Sequence, residues 1–148
     1  MQRFISALAI ALLMLSGIAA TTPKVTTAPA ASGIQFVELP WAKALEKAKK
    51  EKKLIFFDAY TSWCGPCKML QKNVFTRSDV GEYFNANFIN IKKDMEEGEG
   101  PRLATMYPIE GYPSLFFING NGKVVTMHLG AMDGPELIKF AKMVASKK

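Results

Sequence analysis

The chain has 148 residues, a hydrophobic content of 49%, a charged content of 22% and a formal net charge of +6. That length suits one domain with a real core once terminal segments are set aside, and the composition is that of a globular protein whose apolar N-terminus raises the hydrophobic figure. The positive excess is mostly scattered lysine with no arginine-rich patch interleaved with aromatics, so it describes a solvated surface and nucleic acid is excluded as a partner.

Residues 1–20 have the pattern of a secretory leader. Arg3 supplies a positive start, Phe4 to Ile18 is an uncharged apolar run, and Gly17 and Ala19 are small residues suited to a cut after Ala19. The rival is an uncleaved anchor, for which the run is short against the about 20 apolar residues a span needs; only in that case would the protein meet a membrane. Export, most simply to a bacterial periplasm, places the chain where disulfides persist. Residues 21–32 (TTPKVTTAPAAS) are rich in Thr, Ala and Pro and read as a disordered linker. The domain is expected over 33–148.

Ile34 to Val37 alternates as a short edge strand would. Pro40 to Lys53 is an amphipathic helix, with Trp41, Ala44, Leu45 and Ala48 on one face and lysines on the other. Leu54 to Tyr60 is apolar on both faces, the mark of a central strand covered from both sides; Asp58 interrupts it, at a cost unless it is paired or neutralised. A second helix runs from Cys67 to about Phe75, and Ser78 is placed to cap a short third one ending near Asn85. Phe88 to Lys92 is the next strand. Glu96 to Gly100 is an acidic turn without the ligand spacing of a calcium loop, and Pro101 opens a helix closed by Tyr107-Pro108. Ser114 to Ile118, the turn Asn119-Gly120-Asn121-Gly122 and Lys123 to Leu129 form a hairpin. Asp133-Gly134-Pro135 starts a last helix. Helical crossovers give parallel strands and the hairpin an antiparallel pair, so the fold class is α/β, a mixed central sheet with helices on both faces.

Both cysteines of the chain lie in Trp63-Cys64-Gly65-Pro66-Cys67-Lys68, between a strand and a helix. A Cys-x-x-Cys at such a junction sets the first sulfur at a helix N-terminus, where unpaired N–H groups and the helix dipole favour the thiolate nucleophile. Pro66 is comfortable in a first helical turn. A structural staple competes poorly, since so small a loop gives only roughly 2 kcal/mol. Zinc needs four ligands, and the chain offers no second cysteine pair and one histidine, His128. Two inert buried thiols do not suit the flanking Gly and Pro, which make an exposed turn.

These residues resemble the thioredoxin family, over the whole span from Gly33 to the C-terminus, and in particular secreted bacterial members similar to the reducing domain of transmembrane thiol:disulfide interchange proteins. The resemblance implies Cys64 as attacking thiolate, Cys67 as resolving thiol and Asp58 as the buried carboxylate that assists its deprotonation. Pro113, after Tyr112, matches a cis-proline beside the active site. Trp63, Gly65, Pro66, Tyr112, Pro113 and Gly130 would bind substrate. The family pairs its carboxylate with a lysine on the next strand; the corresponding position here is expected to be Asn90, with Lys92 one pleat along. His128 receives no role.

The implied activity is thiol–disulfide exchange outside the cytoplasm, reducing protein disulfides with no metal or organic cofactor beyond the redox-active pair Cys64–Cys67. An upstream thiol reductant, membrane-spanning in the simplest scheme, would recharge it. The alternatives are an oxidase or isomerase on the same fold, and a non-catalytic peptide-binding module using the Tyr112-Pro113 groove.

Overall fold

The computed structural model describes residues 32–146. The leader expected over 1–20 and, apart from Ser32, the linker expected over 21–32 lie outside the described residues. Helix α1 (Trp41–Glu51) buries Trp41, Ala44 and Ala48 and ends at Lys52 in the left-handed conformation, φ 53°. Strand β1 (Leu54–Tyr60) follows at once. Helices α2 (Gly65–Asn73) and α3 (Ser78–Asn87) then carry the chain across to β2 (Phe88–Asp94), which pairs parallel to β1. Helix α4 (Gly100–Met106) leads to β3 (Ser114–Ile118), antiparallel to β1 on its other edge. Strand β4 (Val124–Leu129) closes the hairpin, and α5 (Gly134–Ala145) ends the domain. The sheet order is β2-β1-β3-β4.

The expected α/β architecture is therefore present, and β1 is buried along almost its whole length because it is flanked by strands and covered on both faces. Side chains alternate across a strand. Ile55, Phe57 and Ala59 point into one layer with Trp41, Leu103 and Tyr107 from α1, α4 and the residue after it. Leu54 and Phe56 point into the other, with Leu70, Phe84 and Leu137 from α2, α3 and α5. Phe56 is the hub of that layer: its ring meets Phe84 at 4.7 Å, Phe117 at 5.4 Å and Phe75 at 5.9 Å between centroids.

Four expectations are corrected. Ile34–Val37 is not a strand. The segment is pinned by single backbone bonds, Ile34 N–H to Phe75 O at 2.6 Å and Val37 N–H to Asn90 O at 2.9 Å, and passes from the end of α2 to the edge of β2 without running alongside either long enough to form a ladder. Its entry depends on a close approach: a Cβ on Gly81 would overlap the Gly33 carbonyl. Ser78 does not cap α3; Arg77 occupies that position without a side-chain bond, and Asp79 accepts from Val80 N–H at 3.0 Å. Helix α2 begins at Gly65 rather than Cys67, so Cys64 itself is the cap residue. Finally β2 runs two residues beyond Lys92, because β1 offers pairing partners as far as Tyr60.

The hairpin turn is held by Asn119 Oδ1, which accepts from Asn121 N–H and Lys123 N–H at 3.0 and 3.1 Å. Asp133 and Glu136 cap α5 reciprocally, each side chain accepting from the other's backbone N–H.

Phe56→Ala should remove about 3–5 kcal/mol of stability, seen in urea unfolding as a lower midpoint at unchanged m-value; a loss under about 1 kcal/mol would mean the layer collapses to fill the space.

Candidate active site

Cys64 and Cys67 form a disulfide with a Cα–Cα distance of 5.3 Å. Both are buried, Cys67 at 1% exposure and Cys64 at 4%. The turn is set locally: Cys64 N–H donates to Thr61 O at 3.2 Å, and Lys68 N–H donates to Cys64 O at 3.2 Å as α2 begins. The Cys64 sulfur accepts the Cys67 N–H at 3.1 Å, so it takes the place that a capping oxygen holds at other helix starts. Pro66 stands in the first turn, as expected. A thiolate formed at Cys64 would keep that donor and gain the positive end of α2.

Asp58 shares its strand face with Phe56, two residues earlier, and so points to the side covered by α2. It is 1% exposed, and neither carboxylate oxygen has a hydrogen-bond partner. Burial is the main cause that pushes its pKa from 3.8 to about 7; the Lys92 ammonium and the side chain of Gln71 pull it down without closing a bond on it. Gln71 is four residues past Cys67, hence on the same face of α2. This places the carboxylate against the helix face that carries the second cysteine.

The strand register corrects the expectation about the lysine. Asn90 pairs with Phe56, whereas Lys92 pairs with Asp58. Lys92 extends its ammonium over the Phe36 ring, 5.4 Å from the centroid. Asn90 instead turns toward α3, where its Nδ2 donates to Asn85 Oδ1 at 3.1 Å. Lys92 and not Asn90 therefore stands across from Asp58, although no ion pair closes between them.

A groove of about 500 Å³ opens beside the disulfide, lined by Trp63, Cys64, Gly65, Pro66, Ile109, Glu110, Gly111 and Tyr112. Four of the residues expected to bind substrate, Trp63, Gly65, Pro66 and Tyr112, are brought together there. Trp63 is 63% exposed, a wall and not a core residue. Its ring meets Tyr112 edge-on at 5.9 Å, and its Nε1–H donates to Glu96 at 3.0 Å. The Tyr112–Pro113 bond is cis, as expected. Pro113 is buried behind the lining, and its carbonyl accepts Gly130 N–H at 2.9 Å. Gly130, at φ +101°, is therefore coupled to the groove through Pro113 and does not line it. His128 is remote from the lining, with its ring against Phe140 at 5.9 Å.

Sequence reasoning missed Ile109, Glu110 and Gly111, which the cis turn folds over the cysteines, and Glu96, read only as part of an acidic turn. Among the described residues no cluster of three or more His, Cys, Asp or Glu converges as a metal site, and no helix is long and apolar enough to cross a membrane.

A family model for the thioredoxin-like domain matches residues 41–145. The chain belongs to the thioredoxin-like family. Thioredoxin H4 of Arabidopsis thaliana is 35% identical over 91 residues, 62% of this chain and 71% of that protein. The thiol:disulfide interchange protein DsbD of Pseudomonas fluorescens is 28% identical over 80 residues, 53% of this chain but 14% of its own length. Among solved structures, a candidate disulphide-isomerase from Bacteroides thetaiotaomicron superposes with a TM-score of 0.69 at 49% identity, covering 80% of this chain and 98% of that one. This thioredoxin-like protein is a disulfide oxidoreductase whose redox group is the Cys64–Cys67 pair itself.

The buried carboxylate has a stability consequence. Unfolded Asp58 ionises near 3.8 and folded Asp58 near 7, so between those values the folded protein holds the extra proton and stability falls as pH rises. The gap amounts to on the order of 4 kcal/mol, fully expressed above pH 7 and absent below pH 3.8. In denaturant titrations of the oxidised protein, Asp58→Asn should flatten this slope, its stability relative to wild type improving steadily between about pH 4 and pH 7. Parallel pH profiles would show that the carboxylate ionises normally.

Proposed function

We propose that the protein reduces disulfides in other proteins outside the cytoplasm. The observation that carries this reading is the coincidence of a capped Cys64 sulfur, a buried Cys67 and a carboxylate near neutrality beneath α2. In the dithiol form, Cys64 thiolate attacks one sulfur of a substrate disulfide. A mixed disulfide forms and the other substrate sulfur leaves as thiolate and is protonated. Asp58 accepts the Cys67 proton, and Cys67 thiolate attacks the Cys64 sulfur. The second substrate sulfur leaves, so substrate gains two electrons and the enzyme returns to the disulfide. A carboxylate near 7 is matched to this proton transfer at neutral pH. An upstream thiol protein, membrane-spanning in this scheme, restores the dithiol.

The substrate-binding roles assigned to Trp63, Gly65, Pro66, Tyr112, Pro113 and Gly130 belong to the same proposal. Trp63 and Tyr112 form walls, and Pro113, without an N–H, leaves the loop beside Cys64 free for an extended substrate segment. Export to the periplasm is supported by the leader pattern of residues 1–20 and by the similarity to the interchange protein. A second reading, disulfide isomerisation, is favoured by the name carried by the Bacteroides relative.

Cys64→Ser should abolish reduction of insulin disulfides with dithiothreitol as electron source, and Cys67→Ser should accumulate covalent mixed disulfides with cellular proteins. Activity surviving in the first variant removes the exchange mechanism; no adducts with the second favour a non-catalytic binding module. The Cys64–Cys67 reduction potential separates directions: about −270 mV is expected for a reductase, about −180 mV for an isomerase and about −120 mV for an oxidase.

A further inference from the structure

We propose that the groove beside Cys64 selects disulfides flanked by lysine or arginine, with Glu110 and Glu96 as the specificity-determining residues. The inference rests on thiol–disulfide exchange at Cys64 and adds the charge class of the substrate. Glu110 is the one charged residue in the groove lining. Glu96 brings a second carboxylate to the groove wall through its bond to Trp63 Nε1. The negative field reaches the lining: burial, then Glu96 and Asp94, hold the Tyr112 hydroxyl above its ordinary pKa.

Four of the described carboxylates are paired with cations within 4.0 Å, and these two are not among them. Glu46 pairs with Lys43, Glu51 with Lys47, Asp79 with Arg77, and Glu99 with Arg102 and Lys93. Among the described residues neither Glu96 nor Glu110 has a cationic partner within 4.0 Å. In a chain of net charge +6, lysines are plentiful, yet among the described residues none lines this groove. A cationic side chain next to a substrate half-cystine would supply the missing partner. The half-exposed Leu129, in contact range of Gly111, and the exposed Trp63 ring add apolar surface on either side. The occupant is thus an extended protein segment with a basic residue near its cystine and apolar residues around it. Opposite charge at such a rim acts on encounter and KM and is screened by salt.

Two cystine peptides identical except for Lys or Glu beside the half-cystine test this. Each is reduced by the full chain recycled with dithiothreitol, and each rate is divided by that of dithiothreitol alone, because a flanking lysine by itself improves the leaving thiolate. The expected kcat/KM ratio favours the Lys peptide about tenfold at low ionic strength, carried by KM, and approaches unity above about 0.5 M salt. Glu110→Lys should invert the ratio and Glu96→Gln should lower it about threefold, whereas Glu46→Gln, on the far exposed face of α1, should leave it unchanged. A ratio near one, or a ratio indifferent to Glu110→Lys, overturns the proposal while exchange itself stands. Reduction of neither peptide overturns the exchange reading beneath it.

Discussion

Asp58 is kept out of water by two apolar layers closing on one strand. β1 is flanked by β2 and β3 and covered from both sides, so a carboxylate in its sixth decade of the chain finds neither solvent nor a hydrogen-bond partner. The charged form is what such a site disfavours, and Lys92 opposite it offsets only part of that cost. The rest of the arrangement follows. A strand this constrained delivers its C-terminal end to a fixed point, the turn after it starts α2, and the cysteines sit at that turn directly above the carboxylate's face of the sheet.

The two cysteines are unequal for reasons of position. Cys64 is the cap residue of α2 and lines an open groove; Cys67 lies a turn inward, on the side that faces the sheet. A nucleophile needs approach from outside and a resolving thiol needs a base behind it. One helix start supplies both, because its first residues pass from the surface to the interior within four positions.

The hairpin half of the fold has a different task. Pro113 precedes β3, and its carbonyl is tied to Gly130 just after β4, so the loop from Ile109 to Tyr112 is anchored at its C-terminal end to the hairpin. Packing of Phe116 and Phe117 into opposite layers fixes that base. The groove is therefore assembled from two distant stretches, the motif residues and the loop before β3, with Glu96 joining from a third.

Local pattern was enough to read the helices, the four strands and the dithiol. Burial on both faces shows as an unbroken apolar run, helix faces show as spacing, and a Cys-Gly-Pro-Cys turn has few other uses. Ile34–Val37 misled because alternation is necessary for a strand but a neighbour to pair with is also required. What only the folded chain decided are relations between stretches: the register that sets Lys92 and not Asn90 across from Asp58, and the convergence of Glu96 and Glu110 on the groove. Periodicity specifies which way a side chain points; which residue it meets depends on how separate elements slide against one another, and that is settled by packing of the two layers as a whole.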